Sequence, residues 1–92
     1  MSVTIGGIEF DNVSYYAEGD VLYLQVGKES RAAADFGESP EGHYLRYDES
    51  GALMGLTIVN ARRILDREGK IPITLPDRLI EATDLGGVLA AA

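Results

Sequence analysis

The first two thirds of the chain consist of short apolar runs separated by turns that contain glycine. The runs Val3–Ile5 and Ile8–Phe10 flank Gly6 and Gly7, a pair that is typical of a two-residue hairpin. The turns at residues 17–20 and 48–51 predict two further hairpins. Tight hairpins join only antiparallel neighbours, so this part of the chain predicts an antiparallel sheet. The strands beside these two turns are predicted at residues 13–16, 21–26, 43–47 and 52–59.

Alternation along the strand that begins at Val21 separates its two faces. Leu22, Leu24 and Val26 share one side at a period of two residues, and this side is predicted to face the core. Val21 and Tyr23 fall on the opposite side. The sheet therefore has an apolar face and a second face of mixed character.

Two more strands complete the predicted sheet. One is expected at residues 31–36, before a loop at residues 37–42 that is rich in glycine, proline and acidic residues. The other is expected at residues 71–75 as an edge strand, because Pro72 lacks the amide hydrogen that a central strand needs. A strand order that follows the chain gives an antiparallel meander of about five or six strands.

A short helix is predicted at residues 61–68. The Asn60 side chain is expected to cap its first turn, and Gly69 is expected to end it. Ile64 and Leu65 share a side that can pack on the sheet, which leaves the arginines of this segment towards water.

The tail, residues 76–92, is less regular. Thr83 or Asp84 could cap a C-terminal helix at residues 85–91, although the pair Gly86 and Gly87 weakens it. Together with the sheet and the first helix, this predicts a single α+β domain that covers residues 1–92.

The net negative charge of the chain comes from the sheet portion. Residues 1–61 carry ten acidic and three basic side chains, whereas residues 62–92 carry five of each. The absence of cysteine excludes disulfides and thiolate chemistry, and it fits a reducing compartment. No apolar run approaches the roughly 18 residues that span a bilayer. We expect a soluble, cytoplasmic protein that does not bind membranes.

The polar residues do not form a recognisable catalytic or metal site. His43 is the only histidine, and we expect it to be partly exposed and without a chemical role. The acidic turn at residues 48–51 resembles the opening of a calcium loop, but Ala52 breaks the required ligand spacing. Glu18 and Asp20 could pair with that turn as acid and base, yet no nucleophile accompanies them. A small hydrolase or metal-binding protein is therefore the disfavoured alternative.

Basic residues cluster only in the predicted helix and just after it. Acidic residues within the same stretch interrupt the cluster, and the chain around it has a net charge of -7. A solvated helix face is therefore favoured over a nucleic-acid site. The cluster consists of Arg62, Arg63, Arg67 and Lys70.

One short helix cannot cover both faces of the sheet, so some apolar surface is expected to remain exposed in a monomer, around Val21 and Tyr23 or around Met54 and Leu56. A protein-interaction module that pairs as a homodimer would cover this surface. The alternative partner is a basic protein, with an antitoxin-like role in neutralising a toxin or an RNA-handling protein. Tyrosines on the predicted strands either pack across strands or stack on a partner: Tyr15, Tyr16, Tyr23, Tyr44 and Tyr47.

Two segments each combine a turn with the residues of an adjoining strand in a recognisable motif. Residues 15–24 combine an acidic turn with the strand motif D-x-L-Y, and residues 47–58 read Y-D-x-x-G-x-x-x-G before apolar residues. Both resemble signatures of small bacterial proteins, the domain of unknown function 2283. Tyr16 departs from the aspartate that is common there, which argues against an acidic site at the first turn. The resemblance implies a fold but no established activity.

Overall fold

The strands form one five-stranded sheet and two separate hairpins, all antiparallel. A computed structural model describes residues 2–27, 33–83, 85 and 89. The predicted α+β class is confirmed. In chain order the elements of the described residues are β1 (Val3–Ile5), β2 (Ile8–Phe10), β3 (Asn12–Tyr16), β4 (Val21–Gln25), β5 (Asp35–Glu38), β6 (Tyr44–Tyr47), β7 (Leu53–Val59), α1 (Ala61–Glu68), β8 (Ile71–Thr74) and β9 (Leu79–Ala82).

The five-stranded sheet has the order β3-β4-β7-β6-β5. The predicted chain-ordered meander is wrong at three junctions. β4 pairs with β7 and not with β5. β2 and β8 belong to separate hairpins, so the sheet does not continue from β2 to β3 or from β7 to the predicted edge strand. With seven residues β7 is the longest strand of the described chain, and its buried side chains suit a central position. In contrast, β5 is short and exposes Phe36, so it lies at an edge.

β5 begins later than predicted. It starts at Asp35, whereas part of the predicted segment 31–36 lies outside the described residues. Gly37, predicted as loop, belongs to the strand, because it pairs with Leu45 of β6. The loop then shortens to a turn in which the Gly42 amide donates to the Ser39 carbonyl at 2.9 Å.

The core lies on one side of the five-stranded sheet. Leu22 and Leu24 of β4 face it, as predicted, and stand opposite Ile58 and Leu56 of β7. Val26 is half-buried against the same cluster. The hairpins, α1 and the tail contribute the remaining layer: Ile5, Phe10, Ala61, Ile71, Ile73, Leu75, Ala82, Leu85 and Leu89.

The helix α1 spans the predicted residues but begins in a different way. Asn60 takes a left-handed conformation with φ 58°, and its side chain makes no cap hydrogen bond, so the predicted cap is wrong. Gly69 ends the helix as predicted, with φ 75° and its amide donating to the Leu65 carbonyl at 2.8 Å. Ile64 and Leu65 pack against the core. The described part of the chain offers no helix with the length and apolar character of a membrane span.

β8 occupies most of the predicted edge strand, and it pairs with a strand that was not predicted. Leu75 and Arg78 exchange backbone hydrogen bonds of 2.7 and 3.4 Å around Pro76 and Asp77, and this turn leads into β9. A proline followed by aspartate is a turn signal, so this hairpin was detectable in the sequence. The predicted C-terminal helix lies mostly outside the described residues.

Candidate interaction surface

The side of the five-stranded sheet that faces away from the core is here named the outer face. Residues that stand opposite one another in the register share a face, so the register defines this surface as three rows across the strands. The rows are Asn12, Gln25, Gly55, Arg46 and Phe36; Ser14, Tyr23, Thr57, Tyr44 and Glu38; and Tyr16, Val21 and Val59.

Four aromatic side chains are exposed on the outer face. The exposed fractions are 71% for Phe36, 52% for Tyr16 and Tyr44, and 42% for Tyr23. Exposure around Tyr23 was predicted and is confirmed. Exposure around Met54 and Leu56 was predicted wrongly, since both are 1% exposed. Leu56 stands opposite Leu24 and Leu45 on the core face, and the Met54 carbonyl accepts a hydrogen bond from the Val26 amide.

A shallow depression of about 190 Å³ interrupts the outer face. Its base is Arg46, whose guanidinium lies against Gly55 so closely that a Cβ at Gly55 would overlap it. The Arg46 Nη2 donates to the Leu24 carbonyl at 3.4 Å, while its buried Nε has no partner among the described residues. A glycine inside a strand was the sequence signal for this close approach. The depression is lined by Asn12, Ser14, Tyr23, Leu24, Gln25 and Arg46.

The three rows of the outer face carry no net charge although the chain is acidic. Glu38 and Arg46 are the charged residues among its three rows, and their charges cancel. The net charge of -7 must therefore lie elsewhere. A partner that covers this face does not need to be basic.

Asp20 joins the turn after β3 to the first turn of α1. Its carboxylate accepts hydrogen bonds from the Arg62 and Arg63 amides at 2.7 and 3.1 Å, and its carbonyl accepts one from the Ala61 amide at 3.2 Å. The Tyr15 hydroxyl also donates to this carboxylate at 2.7 Å. Burial acts to raise the pKa of Asp20, but these hydrogen bonds outweigh it and hold the pKa below its usual value.

The two acidic turns do not come together. The turn with Glu18 and Asp20 adjoins the Val59 end of β7, whereas Asp48 adjoins the Leu53 end. Seven residues of strand separate these ends by about 20 Å, so the turns cannot act as an acid and base pair.

Asp48 organises its own turn. Its Oδ1 accepts hydrogen bonds from the Ser50 amide, the Ser50 hydroxyl and the Ala52 amide at 2.6 to 3.1 Å. Gly51 has φ 86°, a left-handed conformation that favours glycine. Turn chemistry therefore accounts for this segment, as the sequence favoured.

His43 is fully buried, so its predicted partial exposure is wrong. The ring bridges two parts of the core: Nδ1 accepts from the Val59 amide at 3.4 Å, and Nε2 lies 3.2 Å from the Pro72 carbonyl. Burial lowers the pKa of His43, which favours the neutral ring. Glu41 reinforces the same junction by accepting hydrogen bonds from the amide and hydroxyl of Thr74.

The basic cluster forms a solvated and largely paired surface. Arg62 pairs with Asp66 at 3.8 Å, and Arg67 pairs with Glu68 at 3.1 Å. Lys70 forms an ion pair with Glu81. All three arginines of the helix are exposed, as predicted. No group of three or more metal-ligating side chains occurs within the described ranges.

Comparison with known proteins identifies the sheet as the shared part of this chain. The family model described as "Protein of unknown function (DUF2283)" matches residues 12–62, which run from the start of β3 into the first turn of α1. No curated protein and no solved structure matches the chain. The matched segment includes Asp20, the Asp48 turn and Gly55, whose structural roles are described above. Because the match covers more than half of its length, the chain belongs to the DUF2283 family.

Proposed function

We propose that this protein is a non-catalytic protein-interaction module of the cytoplasm whose working form is a homodimer. The single observation that carries the proposal is the outer face, which no other described element covers, with its four exposed aromatic side chains. Exposed aromatic surface of this kind marks an interaction site in many proteins, since tyrosine and phenylalanine bury much area at low entropic cost.

A second copy is the partner that best suits this surface. The three rows carry no net charge, so pairing through them adds little to the repulsion that the overall charge of -7 on each copy causes. A basic protein gains little from this face for the same reason. Twofold pairing is also the commonest symmetric closure of a single surface patch.

Pairing through the face is favoured over pairing through the β5 edge. The Phe36 amide of this edge strand already donates a hydrogen bond to the Asp35 carboxylate at 2.8 Å. A strand added at this edge would have to displace that bond.

The size of the outer face predicts a weak dimer. Five strands of about five residues cover roughly 400 Å² of flat area, so two copies bury roughly 800 to 1,000 Å² in total. This area is typical of transient interfaces. We therefore expect a dissociation constant in the micromolar range, on the order of 10 μM.

Light scattering over a concentration series tests the proposal. The mass is expected to rise from 9.9 kDa towards twice that value as the concentration passes through the micromolar range. Thr57→Arg places a charge in the central row, between Tyr23 and Tyr44, and should keep the protein monomeric. Thr4→Arg, at the exposed position of β1, is the matched control and should dimerise like the wild type. A wild type that stays monomeric at high concentration, or equal effects of both variants, would contradict the proposal.

A further inference from the structure

A second surface, separate from the outer face, lies at the end of the sheet where β6 turns into β7. Here it is named the end groove. Two adjoining cavities of about 290 and 560 Å³ form it, and they share Tyr47, Gly51 and Pro76. Its floor is apolar and consists of Ile8, Tyr47, Leu53 and Leu75.

The rim of the end groove is acidic. Among the described residues, four carboxylate side chains and one cation, Arg78, line it. Arg78 lies 4.0 Å from Asp77 and neutralises part of that charge. The rim carboxylates are Asp35, Asp48, Glu49 and Asp77. The end groove therefore holds part of the negative charge that the outer face lacks.

Tyr47 brings the floor and the rim together. Asp35 stands opposite Tyr47 in the strand register, and Asp77 lines the same cavity as its ring. Burial raises the pKa of the Tyr47 hydroxyl, and the negative charges of Asp35 and Asp77 raise it further. The hydroxyl makes no hydrogen bond within the described part of the chain. The face of an aromatic ring attracts a cation, and the negative charges of the two carboxylates beside this ring add to the attraction.

We propose that the end groove docks a segment of another protein that carries lysine or arginine beside apolar residues. Lysine and arginine have an aliphatic stem and a charged head, and these match the apolar floor and the acidic rim respectively. The open rim, formed by exposed residues such as Ala52, Pro76 and Asp77, suits a chain that crosses the groove. An enclosed small-molecule site would bury most of its ligand, which this shape does not allow.

Peptide binding tests this proposal with the full chain. The probe is a fluorescent hexapeptide of alternating leucine and lysine, and its control has glutamate in place of lysine. We expect the lysine peptide to bind at least about tenfold more tightly, with affinity falling as NaCl rises from about 20 to about 500 mM. Equal binding of the two peptides, or no binding of either, would overturn the proposal.

Charge-matched variants separate the end groove from general electrostatic attraction. Asp35→Asn with Asp77→Asn removes two rim charges and should weaken binding about fivefold to tenfold. Glu18→Gln with Asp66→Asn removes the same charge from the turn and helix surfaces and should weaken it less than twofold. Equal losses in the two double variants would mean that only the overall charge matters, which would also overturn the proposal.

Amide chemical shifts locate the bound peptide directly. Shifts at Ile8, Gly51 and Asp77 are expected, with no change at Tyr23 and Thr57 of the outer face. The reverse pattern would place the peptide on the outer face. If the variant Asp35→Asn with Asp77→Asn differs from the wild type in mass without peptide, the occupant of the end groove is a second copy of the chain. Either result would contradict the docking of a segment of another protein in the end groove.

Discussion

Asp20 is the residue that fastens the sheet to the helix. Four hydrogen bonds join it to Tyr15 and to the first three residues of α1. A carboxylate at this position accepts hydrogen bonds from amides that the helix itself leaves unpaired. Its negative charge also interacts favourably with the positive end of the helix dipole. Asp20 has φ 55°, a conformation that aspartate and asparagine adopt more easily than most residues.

Asp20→Asn tests this role because asparagine keeps the shape and tolerates the same φ. We expect it to lower the free energy of unfolding by about 1 kcal/mol at pH 7. The folded-state pKa of Asp20 lies below the unfolded value. Its contribution is therefore present above about pH 4 and disappears as the pH falls through the folded value.

Urea unfolding of both proteins at pH 7 and below pH 4 measures this difference, which should shrink in acid. Glu18→Gln, in the same turn, is the control and should change the stability at pH 7 by much less. A difference between wild type and Asp20→Asn that stays constant with pH would show that the carboxylate charge does not contribute.

His43 predicts pH dependence in a separate range. Because burial lowers its folded-state pKa, the unfolded chain binds the proton more readily below about pH 6.5. The free energy of unfolding should therefore decrease between about pH 7 and pH 5.5, by at most about 1.4 kcal/mol per pH unit. His43→Gln should be less stable at pH 7 but should lose this slope. An unchanged slope in His43→Gln, measured by urea unfolding, would assign the dependence to other groups.

At the scale of elements, the β6–β7 hairpin depends on its turn. Asp48 and Gly51 bring the two strands into register, and the pairing changes by one residue between Arg46 and Tyr47. This irregularity lies next to Tyr47, which forms part of the end groove. The turn therefore positions a proposed binding surface as well as two strands.

Gly51→Val is expected to lower the free energy of unfolding by about 1 to 2 kcal/mol, because φ 86° is strained for a β-branched residue. Ser50→Val removes one exposed hydroxyl hydrogen bond and should cost less. Denaturation midpoints of the two variants provide the measurement. Equal and negligible effects would show that backbone strain at Gly51 is unimportant.

At the scale of the whole molecule, the core cluster of the described residues lies on one side of the five-stranded sheet. The family segment, residues 12–62, supplies the sheet with Leu22, Leu24 and Ile58 on its core face. The hairpins β1–β2 and β8–β9 lie outside that segment and contribute side chains that cover this face. The opposite side receives no such layer among the described residues. This asymmetry leaves the outer face without a covering layer in the described part of the chain, while four carboxylates line the end groove.

Local signals in the sequence determined most of the individual elements. Gly6 and Gly7 predicted the first hairpin, the alternation of Leu22 and Leu24 predicted the core face, and Gly69 predicted the end of α1. Each of these depends on backbone conformation or side-chain direction within a few residues. For this reason the amino-acid sequence is sufficient to indicate them.

Only the tertiary structure decided how the elements meet and what the polar residues do. Asp20 caps a helix 42 residues away, and His43 reaches the Pro72 carbonyl across 29 residues. The pairing of β4 with β7 likewise joins distant segments and creates the outer face. Such contacts result from competition among all apolar surfaces and unpaired amides for burial and hydrogen bonds. No short stretch of sequence contains the outcome of that competition.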